Sequence, residues 1–215
     1  MKFDPKKYHR RSIRLSGYDY SQAGAYFITF CTHQRQSLLG QVIDGQMVLN
    51  AAGQAVWEVW EMLPGRFPTI SLGDFTVMPN HVHGIIIIDT TSGAGQVLPK
   101  NNMHPSSGRG AAGRAPEATS QGAASSAPTL GQIMRAFKSI SAITVNRLLG
   151  RSGQSLWQRN YYEHVIRDEK SLNRIREYIM TNPLRWHLDR ENPHSTGVDD
   201  FDKWLAKFKT KPLQK

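Results

Sequence analysis

The stretch FTVMPNHVHGIIIID (75–89) decides the fold. Apolar residues run to Met78, Pro79-Asn80 supplies a turn, and a second apolar run ends in four isoleucines, so the segment reads as two strands joined tightly. Two histidines, His81 and His83, open the second strand. Side chains alternate along a strand, so both rings leave one face about 7 Å apart, while Val82, Gly84 and Ile86 leave the other. Neutral imidazole is a good ligand for divalent transition ions, and accepts Mn2+ or Mg2+ when oxygen ligands complete the site. A bare HxH pair reads more readily as two structural histidines held by hydrogen bonds. Its neighbours must decide.

Upstream, GAYFITFCTH (24–33) alternates and is rich in aromatic and β-branched residues, which predicts a strand. LLGQVIDGQMVLN (38–50) carries Asp44-Gly45 between apolar residues, a hairpin signal because both turn residues must tolerate positive φ. Asn50 then caps a helix whose apolar residues Ala52, Val56, Val59, Trp60 and Leu63 keep the helical period until Pro64-Gly65. Downstream, Thr129 caps a helix with the stripe Ile133, Phe137, Ile140 and Leu148, ended by Gly150. LWQRNYYEHVIR (156–167) reads as a strand, and EKSLNRIREYIMTNPLRW (169–186) as a helix capped by Asp168, with Pro183 near its end. The order is strand, hairpin, helix, strand, strand, helix, strand, helix. It predicts an α+β fold, ferredoxin-like or RRM-like, with helices packed on an antiparallel sheet. Such folds host many functions, so the site must decide.

Residues 1–23 are basic and polar, residues 24–187 read as one domain, and 188–215 as a tail with one weak apolar patch, Trp204, Leu205 and Phe208. Residues 90–129 are mostly Gly, Ala, Ser, Pro and Thr with few large apolar side chains, which predicts a disordered insertion within that domain. The net charge of +10 over 215 residues calls for a polyanion or an acidic surface as partner. Cys31 is the only cysteine, which excludes a disulfide framework and a thiolate zinc cluster. The longest apolar run, Ile85–Ile88, is far too short to cross a bilayer, and the first twenty residues hold no run of signal-peptide kind. The expectation is a soluble protein of a reducing compartment, with no membrane partner.

In the helix LNRIREYIMTNPLRW, Leu172, Ile175 and Ile179 make a core-facing stripe, and Tyr178 and Asn182 lie one above the other on its flank. A phenol there could reach a cleft, and the Asn182 amide oxygen could join the ion that the histidines hold. Equally, Tyr178 could widen the apolar stripe and Asn182 help end the helix before Pro183.

Taken together, PNHVHGIII, FKSI in a helix and LWQRNYYEHVIRDEKSLNRIREYIMTNP resemble the single-tyrosine HUH transposases, most closely the REP-associated tyrosine transposases. The N-terminal RRSIRLSGYDYSQAGAYFITFCTH fits too, so the resemblance covers about residues 10–187 apart from the insertion. It implies a small HUH nuclease fold with both histidines on a central strand and the tyrosine on a helix beside it. It further implies that His81 and His83 are metal ligands, Asn182 the third ligand, and Tyr178 the nucleophile. Members of that group cut single-stranded DNA beside hairpins, leave a 5′-phosphotyrosine and a free 3′-OH, and rejoin strands. The implied cofactor is a divalent ion, Mg2+ or Mn2+. The implied place is the cytoplasm of a prokaryote, at the nucleoid, as monomer or homodimer.

The residues agree with such chemistry. A phenol attacking an anionic phosphodiester needs a cation to neutralise the charge that develops on the phosphoryl oxygens. A tyrosine ester conserves the bond energy, which permits rejoining without ATP. Tyr161 and Tyr162 are rival nucleophiles, facing opposite ways on a strand, and His164 shares a face with Tyr162. Lys7, Arg10, Arg11, Arg14, Lys138, Arg159 and Arg167 are the expected phosphate contacts. Two alternatives remain: a non-catalytic RRM-like nucleic-acid-binding module, which has no need of His81, His83 and Tyr178 together, and a domesticated transposase that keeps only DNA binding.

Overall fold

The structure is a computed structural model that describes residues 18–89 and 128–208. Lys7, Arg10, Arg11 and Arg14, nearly all of the low-complexity segment 90–129, and the end of the tail lie outside the described residues.

Strands β1 (Gly24–Cys31), β2 (Gly40–Ile43), β3 (Gln46–Leu49), β4 (Ile70–Met78), β5 (His81–Ile88) and β6 (Tyr162–Ile166) form two sheets. The main sheet has the order β4-β5-β1-β6, and its pairings are all antiparallel. The quoted stretch builds its middle. β4 and β5 pair from Ile70↔Ile88 to Met78↔His81, with a bulge between Leu72 and Phe75. β1 takes the other side of β5, which sets Thr29 opposite His83 and Cys31 opposite His81. Because both faces of β5 are covered, HVHGIIII is buried almost throughout, and its burial does not alternate.

The two faces carry separate cores. Tyr26, Ile28, Phe30, Val82 and Ile86 lie under α1 (Ala51–Glu61) and, after the short α2 (Leu63–Arg66), α3 (Leu130–Leu148). Gly84 is required there. A Cβ on it would come within 2.7 Å of the Trp60 ring, which stacks on Phe75 with centroids 4.3 Å apart. On the opposite face Phe27, Ile85 and Ile166 meet Ile175, Tyr178 and Ile179 of α4 (Glu169–Thr181) and Phe201 and Leu205 of α5 (Asp200–Ala206). The α+β architecture with an antiparallel sheet is thus the one read from the sequence.

Local signals act as expected at the turns and caps. Asp44 and Gly45 close the β2–β3 hairpin with φ of 49° and 73°. Asn50 accepts from the Gly53 amide, Thr129 and Gln132 form a reciprocal capping box, and Asp168 accepts from the Ser171 amide.

Three segments differ from expectation. Pro64-Gly65 does not end a helix: α1 stops at Glu61, and Pro64 sits in the first turn of α2, where a missing N–H leaves no bond unmade. The strand expected over 156–167 begins only at Tyr162. Before it, the Gln158 and Arg159 carbonyls accept from Lys138 Nζ at 2.6 and 2.8 Å rather than from a strand, and only a bridge joins Trp157 to Thr32. Finally, the tail is part of the core, since α5 buries Phe201 and Leu205; seven residues are too few to display a helical period. Among the described residues no helix is long and apolar enough to cross a membrane.

Candidate active site

Both histidines are buried, and each is oriented through its Nδ1. The pairing of β1 with β5 brings Thr29 Oγ1 to 2.8 Å from His83 Nδ1. In the turn before β5, Asn80 Oδ1 lies 2.9 Å from His81 Nδ1. The Asn80 amide nitrogen donates to the carbonyls of Glu191 at 2.7 Å and Arg35 at 3.2 Å, so it is the oxygen that faces His81. His81 Nδ1 therefore carries the proton and its Nε2 presents a lone pair. The two Nε2 atoms point inward, 3.0 Å apart. Burial pushes His81 down to about 3, so this imidazole is neutral at neutral pH.

The third member of the cluster is Asp189, from the segment after α4. Its Oδ2 lies 3.6 Å from His81 Nε2 and 3.9 Å from His83 Nε2, and the three ligand atoms fall within 4.8 Å of one another. Burial alone would raise the Asp189 carboxyl, but the two imidazoles and Asn182 outweigh it and hold it well below the usual carboxylate range. With His81 neutral, its contact with Asp189 is no ion pair, and two ring nitrogens and a carboxylate oxygen converge on one point. Two imidazole nitrogens and a carboxylate oxygen suit a divalent first-row ion or Mg2+. Asn182, expected from sequence to give its amide oxygen, turns its nitrogen to Asp189 Oδ2 at 2.8 Å. Its Oδ1 is buried with no hydrogen-bond partner. An orphaned acceptor beside such a cluster fits an ion there.

Tyr178 is not on the rim of α4, as the helical stripe suggested, but 4% exposed within the second core. Its hydroxyl lies 3.2 Å from His83 Nε2 and 3.3 Å from Asp189 Oδ2. Burial, then the Asp189 charge, push the phenol well above its usual value, and Arg190 acts in the opposite sense. Of the rival tyrosines, Tyr161 packs against Phe30 on the α1–α3 face of the sheet, away from the histidines. Tyr162 shares their face, edge-on to Phe27 and beneath the Arg190 guanidinium. His164 packs between Trp204 and Phe208 instead of joining the cluster.

Glu191 ties this region together. It accepts from Arg35 Nε at 2.8 Å, Arg190 Nε at 3.0 Å and Cys31 Sγ at 3.3 Å, and its backbone N–H bonds Asp189 Oδ1 at 2.7 Å. Of the expected phosphate contacts, Arg159 and Arg167 are exposed, whereas Lys138 is half-buried with its ammonium committed to two carbonyls. Thr29, Asn80 and Asp189 were not legible as site residues. Asn80, directly before the HxH pair, was the nearest to a signal.

No family model matches the chain. A protein of Haemophilus influenzae, which carries the name "Uncharacterized protein", is 41% identical over 189 residues, spanning 88% of this chain and 96% of that one. In structure the chain is similar to a REP-associated tyrosine transposase bound to a REP hairpin, with a TM-score of 0.47 and 17% identity over 94% of this chain and 91% of that one.

Proposed function

We propose that this chain, which belongs to one family with the Haemophilus influenzae protein, is a metal-dependent single-tyrosine HUH transposase that cuts and rejoins single-stranded DNA beside hairpins. One observation carries the reading: in one buried site the two histidine Nε2 atoms lie 3.0 Å apart, the Tyr178 hydroxyl lies 3.2 Å from His83 and 3.3 Å from Asp189, and the Asp189 carboxylate stands 3.6 and 3.9 Å from the rings. A structural histidine pair would need neither a third ligand atom nor a hydroxyl aimed at it.

In this reading His81, His83 and Asp189 hold a divalent ion, Mg2+ or Mn2+, and Asn182 orients Asp189 through its amide N–H. Such an ion supplies positive charge against the phosphoryl oxygens as the transition state forms. Tyr178 Oη attacks phosphorus, the bond from phosphorus to the 3′ oxygen breaks, and that oxygen leaves as a 3′-OH. Asp189 Oδ2 accepts the hydroxyl's hydrogen bond and so aims it, but as a depressed carboxylate it is no base for a phenol. The phenolic proton passes to water, and a proton from water completes the 3′-OH. The product is a 5′-phosphotyrosine, and attack by a free 3′-OH reverses the step to rejoin strands. Partners of the protein are then DNA hairpins and their single-stranded flanks, with exposed Arg159 and Arg167 and the basic N-terminal cluster on phosphates.

With Phe201 stacked on Tyr178, no phosphodiester reaches the hydroxyl, so the cutting state requires α5 to move aside. The same burial favours a second reading, a DNA-binding protein that no longer cuts. Incubation with Mn2+ and a hairpin-flanked single strand separates the two: a covalent protein–DNA adduct in a denaturing gel supports the first, and tight binding with no adduct the second.

A further inference from the structure

The face of α3 that points away from the sheet carries two neighbouring open hollows. The larger, about 480 Å3, has Trp157 and Tyr161 in its wall with Arg135, Lys138 and Arg159. The second, about 440 Å3, has Phe67 and Arg66 with Gln132 and again Arg135. Arg135 and Ser139 belong to both and so form the ridge between them. Each hollow thus pairs an aromatic ring with an arginine of its own and shares one more. Arg66, Arg135 and Arg159 are exposed, and Phe67 and Tyr161 partly so.

The charge here is of one sign. Residues 128–161 contain Arg135, Lys138, Arg147, Arg151 and Arg159, and no aspartate or glutamate. Neither hollow has an acidic residue in its wall. The histidine site differs: Asp189 faces the two imidazoles, and Glu191, Asp199 and Asp202 nearby are paired to Arg35, Arg185 and Arg190. Lys138 has a distinct part. Its ammonium pins the Gln158 and Arg159 carbonyls, which fixes the loop carrying Arg159 beside Tyr161.

We propose that this face is a track for a single strand of nucleic acid, one phosphate on Arg135 and its neighbours on Arg159 and Arg66, with unpaired bases against Tyr161 and Phe67. Cationic grooves with aromatic rings in their walls hold single strands by stacking and phosphate contact. A paired base presents no free face to a ring at the bottom of a hollow, so the strand must be unpaired. The track lies on the α1–α3 side of the sheet, opposite Tyr178, and does not rest on the chemistry proposed there.

The test is fluorescence anisotropy with a labelled deoxythymidine oligomer of roughly a dozen nucleotides. Arg135→Glu is expected to weaken binding roughly tenfold or more and to flatten the dependence of log K on log salt by about 0.7 per phosphate lost. Arg159→Glu should act in the same direction, and Phe67→Leu should weaken binding several-fold with the salt slope unchanged. The wild type should bind equally well in EDTA and in Mn2+, which separates a failure of the track from a failure of the histidine site. Arg135 and Arg159 are exposed, so these variants should fold. Wild-type affinity in both charge reversals overturns the track. So does equal competition by a duplex of the same length, or a loss of wild-type binding in EDTA.

Discussion

The ring of Tyr178 lies face to face with that of Phe201, centroids 3.8 Å apart and planes 9° apart. A helix of seven residues from the tail therefore covers the hydroxyl that hydrogen-bonds His83 and Asp189. Phe201→Ala should cost about 3 kcal/mol, the low end for a buried phenylalanine, measured by chemical denaturation. It should also open Tyr178 to phenol-directed nitration and raise the rate of strand cleavage. A folded Phe201→Ala protein with Tyr178 as unreactive as before would mean that α5 does not control access.

Metal binding separates ligands from the residues that aim them. Calorimetric titration with Mn2+ should give one site per chain, abolished in His81→Ala and in Asp189→Ala. Asn80→Ala and Thr29→Val should bind about 10–100-fold more weakly, since each leaves a ring without the partner on its Nδ1. Unchanged affinity in Asp189→Ala would return the third ligand position to Asn182, whose Oδ1 is buried without a hydrogen-bond partner.

The contrast between Asn182 and Asp189 marks how far the sequence is legible. Local rules reach the hairpin at Asp44-Gly45, the caps at Asn50, Thr129 and Asp168, and the shared face of His81 and His83, because each depends on residues a few positions apart. Asp189 and Phe201 come to the site through a segment of turns and a short helix, where no period signals burial. Tyr178 reads as a flank residue on α4 alone; it becomes core only once α5 closes over it. Thr29 orients His83 through the β1–β5 register, and pairing register across 54 residues is not written in either strand by itself.

Acid should destabilise the metal-free protein through its buried histidines. His81 falls from 6.5 to about 3 and His164 from 6.5 to about 4, each chiefly by burial. A group whose folded value is depressed binds its proton first in the unfolded chain, so stability is full above pH 6.5 and declines as pH falls below it. Fully buried His81 contributes a loss on the order of 1 kcal/mol per pH unit in that window. Asp189 and Glu191 are also depressed, but as carboxyls they begin to act only below the ordinary carboxylate range. Melting in EDTA should therefore fall steadily from pH 7 to pH 5, and less so in His164→Gln. A flat midpoint over that range would contradict neutral, buried histidines.

The nucleophile is tested by covalent transfer. Wild type, Tyr178→Phe, Tyr161→Phe and Tyr162→Phe are incubated with Mn2+ and a hairpin-flanked single strand labelled on the 3′ side of the break, then run on a denaturing gel. Tyr178→Phe keeps the ring stacked on Phe201 and loses only the oxygen beside His83 and Asp189. Wild type, Tyr161→Phe and Tyr162→Phe should carry label on the protein, and Tyr178→Phe none. Normal labelling of Tyr178→Phe, with loss in Tyr162→Phe, would move the nucleophile to β6 and leave the Tyr178 hydroxyl a structural bond.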